Sequence, residues 1–220
     1  MDIRLLGSVP YADGLQMQRA LVDDRRANRI GDTLLLLEHP HVLTLGVRGD
    51  GGRSHILAPP ATLDALGVDV CEAGRGGSIT YHGPGQIVGY PILDLKPDRC
   101  DVHRYVRDLE EVLIRAAADF GINAGRVQGC TGVWVNGQKL AAIGVRIARW
   151  ITSHGFAFNV HPDLSYFTLI VPCGLADRGV TSLARLGVEA TRADVEARIE
   201  MRFREIFDRA QVSGNAARAS

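Results

Sequence analysis

The sequence predicts an α+β fold, a mixed β-sheet flanked by helices. Three observations carry this. Three segments repeat apolar residues at three- and four-residue spacing, the period of a helix with one buried face. Between them lie several short apolar runs of strand length, bounded by glycine and proline. At least two of these runs are joined by a tight turn and so form an antiparallel hairpin. Strands and helices follow one another in mixed order, without the strict strand–helix alternation of a doubly wound parallel sheet.

The first predicted helix lies within 11–29, with Leu15 and Val22 on its apolar stripe. The second is the clearest: Val102, Val106, Leu109, Val112, Leu113, Ala116 and Phe120 fall on one face, with Asp101 as N-cap and Gly121 as stop. The third follows Thr191, which forms a capping box with Asp194 ahead of a buried face of Val195, Ile199, Phe203 and Ile206. Strands are predicted at 33–37 and 42–47, parted by His39-Pro40-His41, where a helix cannot continue. Further strands are predicted at 87–95 and 151–160. Runs 133–135 and 140–147 flank Asn136-Gly137-Gln138, a hairpin signal with glycine available for positive φ.

One catalytic-size domain over 1–212 is expected from 220 residues of which 46% are hydrophobic, with 213–220 as a small, polar, aperiodic tail. Lys+Arg and Asp+Glu balance at 25 each, so the basic excess of a nucleic-acid binder is missing. Arg25, Arg26 and Arg29 read as a solvated helix face. No run of 18 apolar residues exists, and residues 1–10 lack the apolar core of a signal peptide, so a cytoplasmic protein off the membrane is expected. A neutral domain of this size is expected to be a monomer.

Cys71, Cys100, Cys130 and Cys173 form no CxxC pair, and the seven histidines form no HxxxH pattern. No metal site and no cofactor are expected. Cys71, Cys100 and Cys130 have no polar, glycine-marked context comparable to that of Cys173 and read as structural thiols.

Three segments carry candidate chemistry. The run RGGSITYHGPGQ from Arg75 to Gln86 packs four glycines and a proline beside Arg, Thr, His and Gln. It reads either as a turn-rich strand connection or as a backbone loop pressed against a ligand. It is neither a Walker A loop nor a dinucleotide fingerprint. Lys139 starts an otherwise apolar run, Leu140 to Val145; it is a solvated turn lysine or a partly desolvated base. Cys173 stands between Pro172 and Gly174, at a punctuated junction where structural cysteines are uncommon. A reactive thiol needs a partner to become thiolate. Lys139, His82 and His154 are the candidates, with His154 equally readable as a hydrogen-bonded strand histidine.

Together these segments resemble one family. RGGSITYHGPGQIVGYPILDL from Arg75, KLAAIGVRI from Lys139 with SHGFAFNV from Ser153, and PCGLADRGVTSL from Pro172 are similar to the signature blocks of the octanoyltransferases of protein lipoylation. Glu38-His39-Pro40, Leu43 to Gly46 and Thr131 to Val135 fit the same family. The likeness runs from about Tyr11 to about Leu186.

The resemblance implies a fold like the catalytic domains of biotin and lipoate ligases. It implies octanoyl-acyl carrier protein as donor, and as acceptor a lysine of the lipoyl domains of 2-oxoacid dehydrogenase complexes or of the glycine-cleavage H protein. Cys173 matches the family's nucleophile and Lys139 the lysine that activates it. Substrate-binding residues match Arg75, Gly76, Gly77, Ser78, Ile79, Thr80, Tyr81 and His82, then Ala142, Ile143 and Gly144, and Gly155, Phe156 and Ala157. An apolar tunnel lined in part by Ile143, Val145 and Phe156 is expected, with oxyanion donors from the backbone at Gly174 or the His82-Gly83 turn. The rival readings are an ATP-dependent lipoate or biotin ligase on the same fold, a cysteine hydrolase and a non-catalytic carrier-binding module.

Overall fold

A strand buried on one face alternates polar and apolar residues, whereas one buried on both reads as a continuous apolar run. Leu34, Leu35, Leu36 and Leu37 are all fully buried, so this strand runs through the middle of a layered domain. The computed structural model describes residues 1–171 and 178–208. In chain order the elements are β1 (Asp2–Ser8), α1 (Tyr11–Arg26), β2 (Thr33–Glu38), β3 (Val42–Leu45), α2 (Pro60–Ala65), β4 (Asp69–Glu72) and β5 (Thr80–His82). There follow β6 (Gln86–Ile92), α3 (Val102–Ala118), β7 (Gly125–Val127), β8 (Cys130–Val135), β9 (Gln138–Ala148), β10 (Ile151–Asn159) and α4 (Arg192–Phe207).

A seven-stranded sheet has the order β1-β2-β6-β10-β9-β8-β7, and a three-stranded sheet the order β4-β3-β5. In the large sheet β1 runs parallel to β2 and the other neighbours are antiparallel. Leu34 and Leu36 pack with Leu109, Leu113, Ile199 and Phe203, so α3 and α4 cover one face. Leu35 and Leu37 pack with Leu21, Val88 and Tyr90, so α1 covers the other. Each buried leucine contributes about 2 kcal/mol, and this double burial is what holds the central strands in register.

The helices end where local chemistry ends them. The Asp101 side chain accepts from the Arg104 N–H at the start of α3, and Gly121 takes φ 76° just beyond its end. Such an N-cap contributes about 1 kcal/mol. Thr191 and Asp194 form both bonds of the capping box on α4. The first helix lies within the expected 11–29 and stops at Arg26, just before Asn28 enters the left-handed region at φ 53°. In the β8–β9 turn Asn136 and Gly137 both have positive φ, as a two-residue hairpin turn requires, and Val135 pairs with Gln138.

Two predicted strands are shorter than expected. β3 ends at Leu45 because the chain turns there to meet the small loop, with Gly46 N–H donating to Ser78 O. β6 ends at Ile92, beyond which Leu93 N–H is taken by the Thr152 hydroxyl. The glycine-marked run is part strand: Thr80 to His82 form β5 against β3. β1, α2, β4 and β7 escaped the sequence reading. β1 is an edge strand with most of its residues exposed, so no alternation marks it. The tail expected at 213–220 lies outside the described residues.

Candidate active site

The site forms where the small sheet crosses the strands β9 and β10 of the large one. Gly76 N–H donates to Val145 O at 3.0 Å, which docks the glycine loop on β9. Glycine is needed here for close approach: a Cβ at Gly144 would stand 3.1 Å from the Arg75 side chain and 3.2 Å from Gly76 O. One strand further in, Phe156 lies opposite Gly89, and its ring occupies the space a side chain at Gly89 would fill.

Arg75 shapes the loop. Its guanidinium donates to Ser78 O at 2.8 Å, Gly76 O at 3.1 Å, Thr44 O at 2.7 Å and Thr44 Oγ1 at 2.8 Å. A buried cation with its donors on carbonyls braces the loop from inside.

Between loop and strands lies a cavity of about 110 Å³. Arg75 to His82, Lys139, Ala142, Ile143, Gly144, Gly155, Phe156 and Ala157 all line it, so three segments far apart in sequence meet at one place. Alternation sorts the β9 positions: Ala141 faces the helices in the main core, and Ala142 faces the cavity, paired across the sheet with Ala157. Val145 is a correction to the expected tunnel wall. Its side chain packs against the helix-side core, and the cavity lining does not include it. Tyr11, Gln86, Val88, Tyr90, Asn159, Phe167 and Val180 complete the lining and were missed. They come from five places in the chain, and only Gln86, Val88 and Tyr90, alternate residues of β6, share a local pattern.

One wall is a cluster of neutral, buried rings. His39 Nδ1 lies 2.6 Å from Val9 O, an acceptor only, so Nδ1 carries the proton and Nε2 accepts from the Tyr90 hydroxyl at 2.7 Å. Burial lowers the His39 pKa to about 4. His154 is also lowered to about 4, by burial first and then by the Arg75 and Arg146 charges. Burial holds His82 well below its ordinary value, helped by His39 and Arg75, although Gln86 accepts from its Nδ1 side at 3.2 Å. Burial pushes Tyr11 up to about 12 and holds Tyr90 far above its usual value. These groups stay uncharged near neutral pH.

The structure supports the strand-histidine reading of His154. Its backbone N–H donates to Gln18 Oε1 at 2.7 Å, and it bonds the Ala73 backbone. It also borders the cavity.

Lys139 lies at the start of β9. Its N–H donates to Gly179 O and its carbonyl accepts from Thr181 N–H, both at 3.0 Å. The chain that leaves the described residues after Val171 therefore returns directly beside Lys139. Val171 itself is fixed by its N–H to His55 O at 2.8 Å. Cys173 and Gly174 lie outside the described residues. Cys71, Cys100 and Cys130 are free thiols that do not line the cavity, although Cys71 packs beside Tyr11, which does. Among the described residues no cluster of three or more His, Cys, Asp or Glu side chains is arranged to hold a metal. No helix among them is long and apolar enough to cross a membrane.

Comparison with known proteins agrees with this architecture. The family model of the lipoyl protein ligase A/B catalytic domain matches residues 10–204. An octanoyltransferase of Solibacter usitatus is 49% identical over 99% of this chain and 98% of its own. One of Rubrobacter xylanophilus is 53% identical over 94% of each. Among solved structures, a lipoate-protein ligase A bound with ATP superposes with TM-score 0.74 at 16% identity, covering 94% of this chain and 86% of that one. A biotin protein ligase from Aquifex aeolicus, in complex with biotin and ATP, gives TM-score 0.57 at 14% identity, over 94% and 70%. At such identities these two speak for the fold alone, and the fold is the one expected. The chain thus belongs to the lipoyl protein ligase A/B catalytic-domain family and, within it, to the octanoyltransferases, which makes it an acyltransferase.

Proposed function

We propose that the protein transfers an octanoyl group from octanoyl-acyl carrier protein, through a thioester on Cys173, to a lysine of a lipoyl domain. The acceptors are the lipoyl domains of 2-oxoacid dehydrogenase complexes and the glycine-cleavage H protein, and the setting is the cytoplasm. The observation that supports this best is the cavity itself: one primary amine, Lys139, borders a narrow slot whose β9–β10 wall is Ala142, Ile143, Gly144, Gly155, Phe156 and Ala157. That slot suits an unbranched acyl chain, and each methylene buried in it contributes about 0.8 kcal/mol.

The chemistry runs in two steps. The Cys173 thiol passes its proton to the Lys139 amine, and the resulting ammonium stabilises the thiolate. The thiolate attacks the donor carbonyl; a new C–S bond forms, the bond to the carrier thiol breaks, and that thiol leaves with the proton from Lys139. The acceptor amine then attacks the acyl-cysteine. The amide forms, Cys173 leaves as thiolate, and Lys139 takes the amine's proton. Backbone N–H groups at Gly174 or the His82-Gly83 turn hold the oxyanion. Thioester to amide is downhill, so ATP has no part in either step.

Incubation with octanoyl-carrier protein and a lipoyl domain, with ATP omitted, tests the reading. An octanoylated lysine on the lipoyl domain is expected. Modification only when ATP and free octanoate are supplied would overturn it in favour of a ligase, and release of free octanoate with no acylated acceptor would favour a hydrolase.

A further inference from the structure

Lys139 owes its setting to an irregularity in the sheet. Val133 pairs with Ala141, yet the next residue, Trp134, pairs with Lys139, so Leu140 is an extra residue on β9. The slip puts Trp134 directly opposite Lys139. Glycine makes it feasible: Gly132 has φ 123°, and a Cβ there would stand 2.6 Å from Ala141 O and 3.4 Å from Lys139 Cε. Gly132 is held in turn by a fully buried carboxylate. Its N–H donates to Glu110 Oε1 at 3.0 Å, while Glu110 Oε2 accepts from Arg107 at 2.7 Å and Arg126 at 3.0 Å.

The Trp134 ring is buried and tethered by its indole N–H to Cys130 O at 3.3 Å. Two cations lie on it. Lys139 Nζ is 4.7 Å from a ring centroid, and the Arg178 guanidinium carbon is 5.7 Å from one. Both distances lie within cation–π range. Arg178 belongs to the stretch whose backbone joins Lys139 through Gly179 and Thr181.

We propose that Trp134 is the positioning residue for Lys139: its indole, shared with Arg178, fixes where the Lys139 amine stands at the cavity and favours the protonated partner of a thiolate. This rests on the catalytic reading of Lys139 above. A cation–π contact of ordinary strength is worth roughly 2- to 30-fold in an equilibrium. Replacing the ring by an aliphatic side chain is therefore expected to lower the acyl-transfer kcat about tenfold, with KM for the carrier-bound donor little changed.

The test exploits composition. The chain has two lysines, Lys96 and Lys139, and Lys96 is exposed. Labelling with [13Cε]lysine gives two resonances, assigned by K96R. The Lys139 Hε signal is expected upfield of the Lys96 signal through the ring current of Trp134. W134L should abolish that offset and lower kcat, and W134F should recover part of both. If W134L does not fold, fluorinated tryptophans placed at position 134 alone keep the ring's size while weakening its face. The logarithm of kcat should then fall steadily with fluorine number. Coincident lysine signals in the wild-type protein, an unchanged kcat in W134L or a flat fluorine series would each overturn the proposal. K139A, measured in parallel, separates the failures. If K139A abolishes transfer while the ring changes do nothing, only Trp134 loses its role; if K139A transfers at the normal rate, the reading of Lys139 falls and takes this one with it.

Discussion

Ala142→Leu puts the acyl slot under direct strain. Ala142 faces the cavity across from Ala157, on the side of β9 opposite the helix-packed Ala141, and it is only half buried because the cavity lies in front of it. The substitution adds three carbons to a space of about 110 Å³. Those carbons take the room of about three methylenes of the acyl chain, at ~0.8 kcal/mol each, or ~2.4 kcal/mol in all. Since 1.36 kcal/mol is tenfold in rate, kcat/KM for an octanoyl donor should fall about 60-fold. A donor shorter by three carbons never used that room, so its kcat/KM should hardly change. The assay is transfer from a series of carrier-protein thioesters of four to ten carbons, with a thermal melt to show that the variant folds. Equal losses for every chain length, or no loss for octanoyl, would refute the assignment of this slot to the acyl tail.

Other consequences follow from the same geometry. Cys71→Ala, Cys100→Ala and Cys130→Ala should each keep acyl transfer, because none of these thiols borders the cavity; a large rate loss in any of them would move the nucleophile away from Cys173. Gly132→Ala should cost roughly 1–3 kcal/mol of stability, since φ 123° and a Cβ 2.6 Å from Ala141 O are both unfavourable; a denaturant midpoint equal to wild type would contradict the bulge geometry. Stability should also depend on pH. His39 and His154 are lowered from 6.5 to about 4 in the folded state, so between those values the unfolded chain binds more protons than the native one. Stability is then fully present above about pH 6.5 and lost as pH falls toward 4, by up to roughly 3 kcal/mol for each ring. Urea midpoints at pH 7, 6 and 5 should decline in that order, and a profile flat across this window would show that the rings are not held neutral.

The parts of the molecule that sequence made legible are those with local causes. Asp101, Gly121 and the Thr191–Asp194 box mark helix ends by hydrogen bonds within four residues, and Asn136-Gly137 marks its turn by φ alone. The doubly buried β2 shows itself as an unbroken apolar run. β1 does not, because an edge strand with exposed residues on both faces leaves no pattern. In the site, the segments at Arg75 and Lys139 stood out because clustered glycine and a lone lysine in an apolar run are costly unless used, whereas Gly155 to Ala157 were matched through the family resemblance alone. That they enclose one cavity follows from sheet order, which no local signal encodes. Tyr11, Tyr90 and Trp134 were hidden for the same reason: a buried aromatic residue looks like core until its ring is seen against His39 or Lys139. The misjudged wall at Val145 shows the reverse, since its side chain packs against the helix-side core and lies outside the cavity lining.

The most direct test of the central claim is the intact mass of the protein after mixing with octanoyl-acyl carrier protein, beside a Cys173→Ser variant. The expected result is one octanoyl adduct on the wild-type chain, removed by hydroxylamine, and no thioester on the variant. A folded wild-type protein that acylates a lipoyl domain while never carrying the adduct, or a Cys173→Ser variant that carries the same hydroxylamine-labile adduct, would contradict transfer through Cys173.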